Sequence, residues 1–532
     1  MSQSNLLDCD STKLEVLRLH NEKTNLATIS NMTGISQSSI SRFLNKVTYG
    51  QWWAKNEKPI ASGTYHDHHK EIKKLPGNCF IITSAQNNSF VHKPFLKSLE
   101  VMAKRYNATI LVGTFSYNKS GFQNLEKDEG EWFDPLIKPY ICSEPVQLAA
   151  DLIYCGELNI LPTAASPLSG MHSYTKNNSG IFPHAKVQLE SLPSHKGETP
   201  RILYTTGAVT QRNYIEKKAG QKASFHHVFG ALFVEIDATG EWFVRQLIAE
   251  TDSGMFYDLD SYYTPTQFYT NIEVEAINYG DIHAEQLDPH AAYGAFGHKG
   301  SMLDVLKPTY QLVHDVCDFS SRNHHNINDP YFRFKAFVNK QDTVEDDIKD
   351  VCQTLKAMCR PFSSVVVVES NHDLALTRWL KTADYRLDPP NAIFFLELQL
   401  AQYKAMEANR EFSVFEYAVK SRDPSLNSIR FLRTDESFMI CGSDGVECGS
   451  HGDLGPNGSR GSAQTYTRFG KRYNIGHSHS ARIIDGVYQA GTMSKLDLGY
   501  NRGASNWTHS AIVTYKNGKR TIVTLRGNKW RV

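Results

Sequence analysis

Apolar runs broken by polar turns predict a mixed α/β protein. "CFIITSAQ" from Cys79, "KPFLKSLEVMAKRY" and "ATILVGTF" read as strand, helix and strand. "RILYTTGAV", "HVFGALFVEID" and "EWFVRQLIAE" add strands, with Ala238-Thr239-Gly240 turning the last two into a hairpin. This region, 79–265, is expected to be an α/β middle domain, and no chemistry is legible in it. From about residue 270 strands and helices alternate again. "IEVEAINYGDIH", "YQLVHDVCDF" and "VVVVESNHDLALTRWL" each pass from an apolar run into acid, amide or imidazole. Open α/β sheets place their sites at such strand ends. "AIVTYKNGKRTIVTL" closes the pattern as a hairpin with Asn517-Gly518 in a type I′ turn. The sequence shows no internal repeat and no low-complexity tract.

The N-terminal pattern differs. "NLATISNMTGISQSSISRFLNK" holds a short apolar helix, a turn at Gly34 and a polar-faced helix that Ser36 can cap. Leu26, Ile29, Ile35, Ile40 and Leu44 would form its small core. Residues 1–60 therefore resemble a helix-turn-helix, in which Gln37, Ser38, Ser39 and Arg42 would face DNA; a helical hairpin used for assembly is the other reading. Residues 61–78 are polar, contain Pro and Gly, and read as a linker. The catalytic domain is expected over 266–532.

Composition is that of an ordinary globular chain, and 57 basic against 56 acidic residues give no global field for nucleic acid. The first twenty residues lack the pattern of a signal peptide, and no apolar run is long enough to span a membrane. Nine scattered cysteines suit free thiols in a reducing cytoplasm.

The strand ends carry candidate metal donors. Asp281 and His283 are two apart, and alternate residues of an extended segment share a face. Asp315 has two oxygens and can bridge two cations. Asn371 offers a neutral carbonyl oxygen beside His372 and Asp373. His477 and His479 repeat the two-apart spacing, and His451 is the one histidine between Asp373 and His477. Histidine, aspartate and asparagine without thiolate suit Mn²⁺, with Fe or Zn²⁺ as alternatives.

This ordered set, D-x-H, D, N-H-D, H, H-x-H, resembles the calcineurin-like metallophosphoesterase superfamily. The resemblance covers about 270–510. It implies a sandwich of two sheets flanked by helices with two divalent metal ions at its edge. One would be held by Asp281, His283, Asp315 and His479, the other by Asp315, Asn371, His451 and His477. It implies His372 as general acid, with Asp373 orienting its ring. His314 and Ser370 stand where that family usually has glycine, which puts the loop geometry in question. Arg322, His324 and His325 follow the bridging aspartate in a loop that can reach a substrate phosphate.

The helix-turn-helix pattern and a basic, aromatic tail lean toward DNA as substrate. Lys516, Lys519 and Arg520 lie in that tail, with Tyr500, Trp507, Tyr515 and Trp530 interleaved. The layout is also similar to the pre-early DNA-degrading proteins of T-five-like phages, which would imply a manganese-dependent DNase in the host bacterial cytoplasm. A metallophosphatase of phosphoproteins or small phosphoesters, and a DNA-binding regulator with a non-catalytic metal site, are the alternatives. Whether the chain forms a homo-oligomer is left open.

Overall fold

The computed structural model describes residues 15–16, 19–20, 24–44, 72–117, 131–323, 327–434 and 436–532. The chain divides into two units, 1–70 and 71–532. In the first, α1 (Leu26–Thr33) is capped by Asn25, which accepts from the Thr28 N–H at 2.9 Å, and ends at Gly34 with φ 70°. The following helix, α2 (37–44), starts where Ser36 Oγ accepts from the Ser39 N–H at 3.3 Å. Ile29, Ile35, Ile40 and Leu44 pack with Val16 and Leu19. Gln37, Ser38 and Arg42 are exposed.

The second unit is built of sheets whose apolar faces meet. Its first half supplies β1 (Cys79–Gln86), β2 (Thr109–Phe115), β3 (Pro145–Ala149), β4 (Leu152–Cys155), β5 (Ser179–Phe182), β6 (Leu189–Leu192), β7 (Arg201–Thr205), β8 (Gly230–Ile236) and β9 (Trp242–Ile248). Its second half supplies β10 (Ala276–Asp281), β11 (Tyr310–His314), β12 (Ser364–Val368), β13 (Met439–Ile440), β14 (Val446–Glu447), β15 (Arg472–Ile475), β16 (Arg482–Ile484), β17 (Val487–Gln489), β18 (Ser510–Thr514) and β19 (Arg520–Thr524).

The two halves repeat one topology. One sheet runs β9-β8-β1-β2, and another runs β19-β18-β10-β11 before continuing to β12. In each, a central strand pairs in parallel with its helix-linked successor and antiparallel with the late hairpin. Facing them lies one eleven-stranded sheet. It contains β3-β4-β5-β7-β6 and β16-β17-β15-β14-β13, joined where β6 pairs antiparallel with β16. The two runs match strand for strand, parallel for parallel. The sequence reading missed this repeat because a buried strand fixes only apolar character. Gly207 after β7 and Gly491 after β17 are among the few identities, each three residues after a tyrosine on its strand.

Regions 79–265 and 266–532 are thus joined through one sheet rather than separated at residue 265. They also meet at β9 and β19, where Gln246 Oε1 accepts from the Ile522 N–H at 2.8 Å. Phe80, Ile82, Leu232 and Trp242 pack on Tyr154, Tyr204 and Ile483 between the layers, and Ala276, Leu312 and Val366 pack on Ile440 and Val446. Helices cover the outer faces, α3 (Lys93–Tyr106) on the first half and α4 (Val344–Met358), α5 (Asp373–Thr382) and α6 (Ala392–Glu407) on the second. No helix of the described residues is long and apolar enough to cross a membrane.

Cutting at residue 266 would expose the edge of β16 and the inner face of β19. A 71–532 fragment is expected to show a single cooperative thermal transition and a structured near-ultraviolet spectrum. A 266–532 fragment is expected to lack both and to aggregate. Cooperative folding of the shorter piece would contradict the shared sheet.

Candidate metal centre

Five strand ends from two sheets converge. β10 delivers Asp281 and His283, β11 delivers Asp315, and β12 delivers Asn371 and His372. From the facing sheet, β14 leads to His451 and β15 to His477 and His479. Asp281, His283, Asp315, His451 and His479 are all buried. Asp281, His283, Asp315 and His479 offer donor atoms within 4.8 Å of one another, and so do Asp315, His451 and His477. Asp315 belongs to both groups.

The distances describe donors aimed at common points. His479 Nε2 lies 2.8 Å from Asp281 Oδ2, and His451 Nε2 lies 3.3 Å from Asp315 Oδ2. His283 Nε2 and His479 Nε2 stand 3.1 Å apart. Two ring nitrogens so close repel unless a proton or a cation lies between them. Asn371 Oδ1, His451 Nδ1 and His479 Nδ1 are buried without a hydrogen-bond partner, and Asp281 Oδ2, His283 Nδ1 and His451 Nε2 meet only neighbouring acids and imidazoles. Unsatisfied buried polar atoms are few in folded proteins, so this concentration fits a group that binds cations. The donor set, imidazole nitrogen and carboxylate or amide oxygen, suits such ions chemically.

The convergence does not come from extended alternation, as expected for the two-apart pairs. His283, Asp315, His477 and His479 have φ of 46°, 40°, 72° and 55°, all left-handed. Outside glycine, Asp and His are among the residues that reach this region most readily. The left-handed residue after β11 is Asp315 itself, while His314 still belongs to the strand, so no glycine is required at 314. Ser370 Oγ accepts from the Asp373 N–H at 3.2 Å and starts α5. Glycine is needed elsewhere: a Cβ on Gly476 would sit 2.4 Å from Asp281 Oδ1, and one on Gly280 would sit 2.2 Å from the Gly491 oxygen.

His372 borders the donors, its ring centroid 4.9 Å from that of His283. Its side chain is 15% exposed, against 0% for His283. It does not cap α5 through its ring. Its Nδ1 lies 3.1 Å from the Asp318 carbonyl oxygen and 3.6 Å from the Asp318 carboxylate. The expected role of Asp373 is corrected here. Its carboxyl turns away, to the Cys317 N–H at 3.1 Å and the Ser370 hydroxyl at 2.9 Å, and burial followed by Asp315 raises it to about 8. Asp318, three residues after Asp315, holds the ring instead. Its loop is fixed by Glu285, whose carboxylate accepts from the N–H groups of Asp318 and Phe319 at 2.8 Å each. The repeated acid in D-V-C-D was the signal available for Asp318; Glu285 had none.

Other expected contacts are also corrected. Arg322 is buried, with Nη2 2.6 Å from Asp388 and Nη1 2.8 Å from Asp342, so it braces a loop and is not free for a phosphate. Arg520 is buried too; it donates to the Tyr473 and Gly486 carbonyls and to Asn474 Oδ1, ties β19 to the facing sheet, and cannot contact DNA. Tyr515 and Trp530 are core residues. Lys516 is exposed and Lys519 half-buried. His324 and His325 lie outside the described residues.

The first half keeps the fold without the donors. Asn87 N–H bonds Phe115 O as Ile282 N–H bonds His314 O, which sets Asn88 (φ 52°) where the second half has His283 and Ser116 where it has Asp315. The matching strand registers set His184 and Lys186 where it has His477 and His479.

Fold and site together define a mixed α/β protein with a buried histidine–aspartate centre able to hold metal ions. No family model matches the chain, and no solved structure does. It is 46% identical over 486 residues to a curated protein, Protein A1 of Escherichia phage T5, covering 89% of this chain and 86% of that protein. The chain belongs to the family of that T5-like phage protein.

Protonation of the cation-free centre sets a pH dependence. Burial pulls the His451 imidazole down, but Asp315 and Asp281 outweigh it and raise it to about 10. Burial likewise opposes, and Asp318 then overcomes it, to raise His283 to about 9. Both rings therefore hold protons at pH 7 that a cation must displace. Binding is expected to release more than one proton per chain at pH 7 and to tighten from pH 6 to pH 8, read by titration calorimetry in buffers of different ionisation enthalpy. Uptake without proton release would contradict the arrangement. Gly476→Ala is expected to lower bound metal at least tenfold by elemental analysis, because its methyl displaces the Asp281 carboxylate.

Proposed function

We propose that the chain is a metal-dependent nuclease of the calcineurin-like metallophosphoesterase type, hydrolysing DNA phosphodiesters in the host bacterial cytoplasm. The observation that carries this reading is the pair of donor groups sharing Asp315, with His372 beside them and partly exposed where Asp281, His283, Asp315, His451 and His479 are buried. Two divalent ions, Mn²⁺ by the donor chemistry, would sit on Asp281, His283, Asp315 and His479 and on Asp315, Asn371, His451 and His477. Bound there, they supply positive charge for the phosphate and an activated water at neutral pH.

The chain's own residues do the rest. Two carboxylates against two divalent cations leave about two positive charges, which suits an anionic diester. The Asp318 carbonyl accepts a hydrogen bond from His372 Nδ1, which fixes the ring and leaves Nε2 as its other nitrogen. His372 Nε2 then donates to the departing oxygen. The exposed Gln37, Ser38 and Arg42 on α2 suit contact with DNA phosphates and bases. Burial of Arg520, Tyr515 and Trp530 removes part of the tail's claim on DNA and favours a second reading, a metallophosphatase acting on small phosphoesters.

One assay separates them. Purified protein with Mn²⁺ is expected to degrade duplex DNA, with Asp315→Ala and His372→Ala each lowering the rate by about 10²–10⁴-fold. Hydrolysis of p-nitrophenyl phosphate with DNA left intact would select the second reading. Full nuclease activity in both variants would remove the site assignment.

A further inference from the structure

We infer that Trp507, with Tyr500, is the platform on which a nucleic-acid base stacks beside the scissile phosphate. The inference rests on the nuclease reading above and names the part of the substrate that the metal centre does not hold.

Trp507 adjoins the centre directly. Its ring centroid is 4.1 Å from that of His479, at 64°, and Tyr500 follows at 5.9 Å and 67°. Trp507 is half-buried and Tyr500 is 37% exposed. Trp507 also lines an open cavity of about 1060 Å³, bordered by Lys495 and Arg502, both exposed, and by Lys196, which pairs with Asp497; Glu198 and Glu241 line it too, and the 194–200 loop of the donor-free half closes one side. The Ser194 and Ser505 backbones bond to one another and hold the two walls together. The groove therefore offers cations for a phosphate backbone and an aromatic face next to the donors, the combination that holds single strands.

The repeat supplies an internal control. Matching bridges, Ala208 with Phe229 and Thr492 with His509, set His227 at the position of Trp507. There a ring pair has nearly the same geometry, Tyr214 and His227 at 5.7 Å and 70°. His227 is buried, with Tyr214 Oη at 2.8 Å from Nδ1 and Thr210 O at 2.9 Å from Nε2. The fold thus permits this pair to be closed. The ring at this position is buried in the half without donors and half-buried in the half with them.

The test compares binding of an oligothymidylate and an abasic oligomer of equal length, by fluorescence anisotropy in EDTA, where nothing is cleaved. Wild-type protein is expected to prefer the oligothymidylate roughly tenfold. Trp507→Ala should bring that ratio close to one, and Trp507→Phe should keep most of it. An unchanged ratio in Trp507→Ala, or no preference in wild type, overturns the inference. Equal loss of affinity for both oligomers in Trp507→Ala and Trp507→Phe also overturns it, as a packing role under His479. If wild-type protein binds neither oligomer in EDTA, the comparison is read with Mn²⁺ restored, and if it binds neither there the DNA reading itself fails, a result distinct from the others.

Discussion

Two carboxylates, Asp281 and Asp315, lie at the seam between facing sheets with almost no contact with water. Charge in such a place costs several kcal/mol per ion unless it is compensated. The surroundings show how compensation is arranged. Against burial, His479 and His451 hold Asp281 ionised and His451 and His372 hold Asp315 ionised, and the His477 and His372 backbone N–H groups donate to them at 2.9 Å and 3.3 Å. Histidines alone leave nitrogens facing one another. Cations would resolve that conflict, and the strand ends, their left-handed turns and the glycine at 476 serve to bring five further donors round two buried charges.

The scaffold makes this possible by supplying strand ends from opposite layers. Donors on β10, β11 and β12 come from the helix-covered sheet, and those after β14 and β15 from the sheet facing it. A buried polar link holds the layers in register near the site: Asn474 Nδ2 donates to Asn278 Oδ1 at 2.9 Å and to Thr514 Oγ1 at 3.0 Å. Behind it, β6 of the first half completes the sheet that carries His477 and His479. The half that lacks donors therefore supports the half that has them.

Much of the site was legible in the sequence. Donor types at strand ends appear as polar residues interrupting β-branched runs, so Asp281, Asp315 and Asn371 could be named in order. The mixed α/β class and the helix at 37–44 followed from periodicity and caps. What escaped has physical causes. Strand-to-strand order depends on pairing between residues hundreds of positions apart, which hid the duplicated topology. Charge and aromaticity say nothing about burial, so Arg322, Arg520, Tyr515 and Trp530 read as surface. The partner of His372 turned on a side-chain direction: adjacency favoured Asp373, while the helix start points that carboxyl at Cys317.

The left-handed donors constrain the chain in a further way. A backbone held at positive φ costs of the order of 1–3 kcal/mol for an ordinary residue, and glycine would relieve it. Glycine has no ligand atom, so at His283, Asp315, His477 and His479 the conformation and the chemistry pull toward different amino acids. Only a short list, His, Asp and Asn, answers both demands. Exchanges within that list, such as asparagine for histidine at position 479, would leave the main chain undisturbed while changing the atom offered, so the donor set at these turns can drift without the fold being rebuilt.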